Sequence, residues 1–164
     1  MVRVLDILGA QGVQLKWPND VLTEQGKLGG VLIEAQGDML GPSAVVIGIG
    51  LNYTLPEILV QRIDQPASAL NEVCASMPSR SQLLAALLHE LATVLQQFAN
   101  DGFASLRKEW ERHHAFQNRA IVLDMTDGSA VSGFARGISD RGELCLESEQ
   151  SLRYFSSGDV RGKR

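Results

Sequence analysis

Few features of this 164-residue chain mark it as specialised, and each scarcity removes a class of explanation. There are two cysteines, Cys74 and Cys145, far apart and in no CxxC pair, so neither a zinc site nor a thioredoxin-type site is supported. No apolar run approaches the ~18 residues of a membrane span. Arg3 and Asp6 interrupt the first apolar stretch, so no secretory signal is expected, and a reducing cytoplasmic location is the default. Charge of one sign is also scarce: 19 acidic against 15 basic residues leave a net charge of -4, with no basic block to meet nucleic acid. The cationic residues Arg161, Lys163 and Arg164 are expected to form a solvated tail.

What is present is ordinary globular material, 45% hydrophobic and 21% charged, with sixteen glycines. A chain of this length can bury enough surface to fold without disulfide staples.

Residues 2–10 carry the apolar spacing of a helix stopped near Gly9 and Gly12, with no visible cap at its start. Val13, Leu15 and Trp17 alternate with Gln14 and Lys16, the period of a strand with one buried face. Pro18-Asn19-Asp20 predicts a turn. Gly29–Ile33 and Ala44–Ile47 predict two strands. Turn residues at Gln36-Gly37-Asp38 and Gly41-Pro42-Ser43 lie between them, which predicts an antiparallel pair. Ser79 and Gln82 form a capping box ahead of a helix whose Leu84, Leu87, Leu88, Leu91, Leu95 and Phe98 are expected on one buried stripe. Asn100-Asp101-Gly102 ends it, and Phe103, Leu106 and Trp110 predict a second, shorter helix. Beyond residue 116, short apolar strands alternate with turns at Asp127-Gly128 and Asp140-Arg141-Gly142, the texture of a small barrel that must dock on the helices to gain a core.

Chemical motifs are few. Gly48-Ile49-Gly50 opens like a dinucleotide fingerprint, but Tyr53 stands where the third glycine belongs. Gly26-Lys27 resembles the end of a P-loop, but Val21 and Leu28 break that pattern. Two readings of Gly48 and Gly50 stay open: a bulge or turn, or a strand end bared for close approach of a ligand, with the Asn52 amide at its mouth. Lys16 reads either as a solvated strand lysine or as a cation for a carboxylate or phosphate, and Lys27 draws the same pair of readings. Adjacent residues diverge by about 100° on a helix, so His113 and His114 predict helix-end contacts rather than a metal site. No metal ligands are expected. No GxSxG elbow supports a serine nucleophile, and His89 lies on a polar helix face.

Three segments taken in order resemble one family. Lys16-Trp17-Pro18-Asn19-Asp20, Gly26-Lys27-Leu28-Gly29-Gly30-Val31-Leu32-Ile33-Glu34 and Gly48-Ile49-Gly50-Leu51-Asn52 are similar to the biotin–protein ligases, which include bifunctional biotin operon repressors. The resemblance runs through both helices and the C-terminal strands. It implies an α+β fold: a mixed or antiparallel sheet with helices, part of a class II synthetase-like catalytic domain, over residues 1–115. A small SH3-like barrel would follow over 116–164. It implies ATP-dependent activation of biotin to biotinyl-5′-adenylate, with Mg²⁺ accompanying ATP, and transfer of biotin to a lysine of the carrier domain of acetyl-CoA or pyruvate carboxylase. Lys16 matches the catalytic lysine that holds the biotin carboxylate. Gly48, Ile49 and Gly50 match the backbone against which biotin and adenylate lie, Gly30 and Val31 the pocket floor, and Asn52 an asparagine on the nucleotide. Asn19 and Asp20 would fix the turn that aims Lys16, with Asp20 also within reach of Mg²⁺. A homodimer through sheet edges is a further implication.

Family members also carry a glycine- and arginine-rich loop, a Ser/Thr-Asn strand and a Gln ahead of the matching lysine, and these motifs are not among the 164 residues. The expectation is therefore the second half of a catalytic domain plus the C-terminal domain, with an in-frame glycine/arginine-rich loop encoded upstream of Met1. The alternative is a catalytically incompetent ligase fragment that acts as a binding or regulatory partner. A lipoate or octanoyl ligase fits the Trp17-Pro18 context poorly, and a plain SH3-like scaffold does not account for the three ordered motifs.

Overall fold

The computed structural model describes residues 1–37, 44–148 and 151–163. The proposed turn residues Asp38 and Gly41-Pro42-Ser43, and Arg164 of the basic tail, lie outside the described residues.

The chain begins with a short helix, α1 (Val2–Ile7), that ends at Leu8 just before Gly9, whose φ of 71° suits glycine. Four strands follow: β1 (Gln14–Lys16), β2 (Asp20–Leu22), β3 (Lys27–Gln36) and β4 (Ala44–Leu51). They form one antiparallel sheet in that order. The expected β3–β4 pair is present, in a register that sets Gly30 opposite Gly50 and Leu32 opposite Gly48. Strand β2, short and flanked by turns, was not anticipated. Nor were the one-turn helices α2 (Glu57–Val60) and α3 (Leu70–Val73).

Helix α4 (Arg80–Asp101) starts at the expected capping box: Ser79 Oγ accepts from the Gln82 amide, and Gln82 Oε1 accepts from the Ser79 amide. Its leucine stripe is a correction. Leu84, Leu88, Leu95 and Phe98 are exposed, Leu87 and Leu91 of the stripe are half-buried, and the buried leucine is Leu83, outside it. Leucines occupy neighbouring positions about 100° apart, so spacing alone did not say which row meets the core. Helix α5 (Ala104–Arg112) follows after Gly102, which has a positive φ.

The C-terminal strands β5 (Ala120–Asp124), β6 (Ala130–Ile138), β7 (Leu144–Ser148), β8 (Ser151–Phe155) and β9 (Asp159–Gly162) form an antiparallel sheet ordered β8-β7-β6-β5-β9, the SH3-like barrel. Strand β9 corrects the expectation of a solvated tail: it pairs with β5 from Asp124↔Asp159 to Ile121↔Gly162, and Arg161 is ion-paired with Asp124. The backbone amides of an extended tail beside an open strand edge find ladder partners there, whatever charges the side chains carry.

Two cores result. One gathers α1, β2, β3 and the start of α4 around Val4, Leu5, Val21, Leu28 and Leu70. The other fills the barrel with Ile121, Leu123, Leu144 and Leu146, and takes in Trp17, Phe103 and Trp110 from outside it. The barrel thus docks on α5 and β1, as its small size demands. Arg107 of α5 adds ion pairs to Glu111 and to Asp140 in a barrel turn. No helix among the described residues is long and apolar enough to cross a membrane.

Candidate functional site

The site is built where the turn between β1 and β2 meets β3. Lys16 is the last residue of β1. Its neighbours Leu15 and Trp17 are anchored on either side: Leu15 exchanges backbone hydrogen bonds with His113 and Ala115, and the Trp17 ring sits in the barrel core. The solvated reading of Lys16 is not what the structure holds. Its side chain is 14% exposed, and its Nζ lies 3.2 Å from Asp20 Oδ2 and 2.8 Å from Asp159 Oδ1. Burial is the largest single influence on its pKa and acts downward, but hydrogen bonds to Asp159 and Asp20 outweigh it, so the pKa is raised. The lysine is a firmly protonated cation at neutral pH.

Asp20 is buried and shared. Lys27 Nζ reaches its Oδ1 at 2.5 Å while Lys16 takes Oδ2. Both carboxylate oxygens therefore face ammonium groups. Asn19 contributes through its backbone: its carbonyl accepts from the Val31 amide, tying the turn to β3.

Two cavities flank this cluster and share Asn19, Asp20, Val31 and Leu32. One, of about 530 Å³, is mainly apolar and reaches Lys16, Phe103 and Trp110. The other, of about 720 Å³, is lined by Gly29, Gly30, Gly48, Ile49, Gly50 and Asn52, with Lys27 at its rim. Sequence reasoning set Lys16 beside these glycines. In the structure Lys27 is the cation that lines their cavity, and Lys16 stands behind Asp20.

The glycines divide into two kinds. A Cβ at Gly29 would collide with the Gly50 carbonyl, so packing alone requires glycine there. At Gly48 and Gly50 the nearest atoms would lie 3.7 Å and 3.9 Å away, and neither residue has a positive φ. Both are exposed members of a regular strand. Neither a bulge nor a turn explains them, and what their lack of side chains creates is bare backbone on the cavity wall.

Asn52 has a structural engagement that spacing did not reveal. Its Nδ2 donates to the carbonyls of Lys27 at 3.1 Å and Ser68 at 3.0 Å, holding the segment before α3 against β3. Asn52 also lines the glycine-walled cavity. Beneath it, Thr23 Oγ1 and Ser68 Oγ share a buried hydrogen bond of 2.8 Å.

The histidines also depart from expectation. His113 caps α5, but His114 lies past the helix end, buried, with its ring 4.7 Å from that of Trp110 and its Nδ1 3.1 Å from Gln117 Oε1. Its Nε2 meets no hydrogen-bond partner among the described residues. Burial lowers its pKa, and among the described residues the ring makes no hydrogen bond to a helix carbonyl. Among the described residues no group of three or more His, Cys, Asp or Glu side chains forms a metal centre.

The residue that sequence reasoning missed is Asp159. It stands 143 positions from Lys16, just ahead of the residues taken for a tail. An Asp after a Gly near a chain end carries no signal of its own; only the barrel closure brings it to the lysine.

These features, an antiparallel sheet with a glycine-walled cavity and a buried lysine joined to an SH3-like barrel, define a ligase-type fold. A family model described as the biotin/lipoate A/B protein ligase family matches residues 4–112, and the chain belongs to that family. A second, the biotin protein ligase C terminal domain, matches residues 118–161. The chain is 32% identical to the bifunctional ligase/repressor BirA of Escherichia coli over 160 residues, 98% of this chain and 49% of that protein. It is 34% identical to the biotin–[acetyl-CoA-carboxylase] ligase of Mycobacterium tuberculosis, over 89% of this chain and 52% of that protein. The chain thus spans about half the length of these curated relatives. Among solved structures, the apo biotin protein ligase of Aquifex aeolicus superimposes with a TM-score of 0.81 at 23% identity, covering 98% of this chain and 70% of that one. The same enzyme in complex with biotin and ATP gives 0.80 at 24% identity, covering 99% and 66%. At these identities the likeness establishes the fold.

Proposed function

We propose that this chain acts as the lysine-bearing part of a biotin–protein ligase, activating biotin with MgATP to biotinyl-5′-adenylate and passing biotin to a lysine on the carrier domain of acetyl-CoA or pyruvate carboxylase. The observation that carries the reading is the bare wall at Gly48 and Gly50, which no internal packing requires, beside the Lys16–Asp20–Lys27 charge cluster. Curated relatives named as biotin–[acetyl-CoA-carboxylase] ligases support it. On this reading residues 1–115 belong to the catalytic domain and 116–164 to the C-terminal domain. On the same reading the work is done in the cytoplasm. On this reading a homodimer would form through the outer edge of β4, which is unpaired among the described residues.

Adenylation brings an anionic carboxylate to an anionic α-phosphate. A carboxylate oxygen forms a bond to phosphorus and pyrophosphate leaves. Lys16, aimed by Asp20 on the same turn, supplies a fixed positive charge that reduces the repulsion between the two anions and stabilises the oxygens at phosphorus. Lys27, on the glycine-lined cavity, adds a second positive charge toward the phosphates, and Mg²⁺ arrives with ATP as substrate. Gly30, Val31, Gly48, Ile49 and Gly50 bring the ligand against backbone, and the Asn52 carbonyl oxygen accepts from the nucleotide. In the second step the carrier lysine amine attacks the acyl carbon, AMP leaves, and the amine gives up a proton.

Biotin-dependent exchange of labelled pyrophosphate into ATP on the chain tests this. The expected result is measurable exchange that falls by about 10²–10³ in Lys16→Ala, as removal of one fixed electrostatic stabiliser does. A second reading, a binding or regulatory partner without catalysis, is favoured by the exposed Leu32, Ile33, Val45, Val46 and the outer row of α4. A sharp melt with no exchange and no biotin binding would establish that reading instead.

A further inference from the structure

The Lys16 ammonium is gripped from two sides of different character. Asp20 is on the same turn, 11% exposed at its side chain, and already committed to Lys27. Asp159 comes from the barrel, is 65% exposed, and has no cation other than Lys16 within ion-pair distance among the described residues. It is the first residue of β9, held there by its pairing opposite Asp124 and by the turn at Gly158, whose φ is 135°. Trp17, next to Lys16, is also seated in the barrel core. The barrel therefore both anchors the backbone beside Lys16 and supplies one of its counter-charges.

The charges sum simply. Lys16 and Lys27 against Asp20 and Asp159 total zero, so the cluster as it stands offers no net attraction to an anion. Without Asp159 the total is +1. Of the two carboxylates, the exposed one loses less by leaving the lysine, because water replaces its hydrogen bond, whereas Asp20 would be left buried between two unmatched ammoniums.

We infer that Asp159 is a positioning residue: its carboxylate holds the Lys16 ammonium in the ligand-free chain and is exchanged for the anionic substrate group when the site is loaded. The inference rests on the ligase reading for the identity of the substrate, but not for the exchange itself. Ligand binding then releases one tie between the barrel and β1, so site occupancy and barrel docking are coupled. The anion's affinity is set partly by a residue of the C-terminal domain.

The experiment compares the unaltered chain with Asp159→Asn, which keeps shape and an acceptor oxygen while removing the charge, and with Asp159→Glu. Inorganic pyrophosphate is the first probe, measured by titration calorimetry, because it reports on anion binding whether or not the chain catalyses. Asn should bind pyrophosphate about fivefold more tightly, the size of one weakened ion pair, and Glu should return affinity toward the original. Equal or weaker binding by Asn, or no pyrophosphate binding by either protein, overturns the inference. Where exchange activity is present, the KM for MgATP should fall by a similar factor in Asn while kcat does not rise, a split that general loosening would not produce. Hydrogen exchange at residues 159–162 should increase when pyrophosphate is added to the unaltered chain and stay unchanged in Asn. Absence of biotin-dependent exchange with tighter pyrophosphate binding in Asn would defeat the ligase reading and leave the exchange of Asp159 standing.

Discussion

The indole Nε1 of Trp17 donates to the Gly142 carbonyl at 3.0 Å, so a residue beside the site lysine closes a hydrogen bond with a turn of the C-terminal barrel 125 positions away. The ring is 4% exposed and belongs to the barrel core rather than to the core of its own sheet. Removing it tests how far the two parts stand as one unit. Trp17→Ala should cost ~3–5 kcal/mol, as large-to-small core changes do. Trp17→Phe, which keeps most of the apolar contact but leaves the Gly142 carbonyl without its donor, should cost about 1–3 kcal/mol. Urea unfolding of the two variants measures both. A Trp17→Ala chain as stable as the original would show that the barrel does not depend on this ring.

The two kinds of glycine should separate in mutagenesis. Gly50→Ala and Gly48→Ala meet no neighbour closer than 3.7 Å and should leave the melting temperature nearly unchanged while weakening biotin and ATP binding. Gly29→Ala forces a methyl group against the Gly50 carbonyl and should lower stability by roughly 1–3 kcal/mol, the usual range for overpacking. Melting curves alongside binding titrations check the contrast. Loss of stability at Gly48 or Gly50 equal to that at Gly29 would assign all three to packing.

Asn52 should fail in both assays. Asn52→Ala deprives the carbonyls of Lys27 and Ser68 of a donor in a part-buried setting, at a cost of about 1–3 kcal/mol. It should also weaken nucleotide binding, through both the lost oxygen and the loosened segment 66–70. Nucleotide binding intact in a destabilised variant would limit Asn52 to the structural role.

His114 makes stability depend on pH. Burial lowers its pKa below the ordinary histidine value, so the folded chain holds the ring neutral where the unfolded chain protonates it. The stabilising contribution is therefore complete above the unfolded value of ~6.5 and declines as pH falls from there through the lowered folded value. His114→Phe keeps an aromatic ring against Trp110 and cannot titrate. Its denaturation midpoint should vary less between pH 7 and pH 5 than that of the original chain. Parallel curves for the two proteins would show that other groups carry the acid sensitivity.

Arg3 links α1 to α5 through Glu109, with Nε and NH2 hydrogen bonds of 2.6 Å and 2.5 Å. The hydrogen bond from Arg3 holds the Glu109 pKa below the usual carboxylate range. A lowered carboxylate pKa stabilises above the unfolded value of ~4.3 and ceases to do so as pH falls through the folded one. Arg3→Met should therefore be less stable than the original chain at pH 7, by about 1 kcal/mol or less for so accessible a pair, and the difference should narrow at pH 3. Melting at the two pH values checks the sign.

Local pattern was enough for much of this molecule. The Ser79–Gln82 cap, the β3–β4 pairing, the turns at Asp127-Gly128 and Asp140-Arg141-Gly142, and the three ordered motifs were legible because each depends on neighbours in the chain or on a string of residue types. The family followed from those motifs. Tertiary structure alone decided which row of α4 leucines meets the core, that residues 159–162 join β5 as a strand, that His114 is enclosed, and that Asp159 faces Lys16. The reason is physical. Hydrogen-bonded turns and caps are contracts between residues a few positions apart, whereas burial and counter-ion choice depend on which distant surface arrives. Leucines on two adjacent helix rows are equivalent until a partner covers one of them, and a lysine's carboxylate partner can come from anywhere the fold brings within ~4 Å.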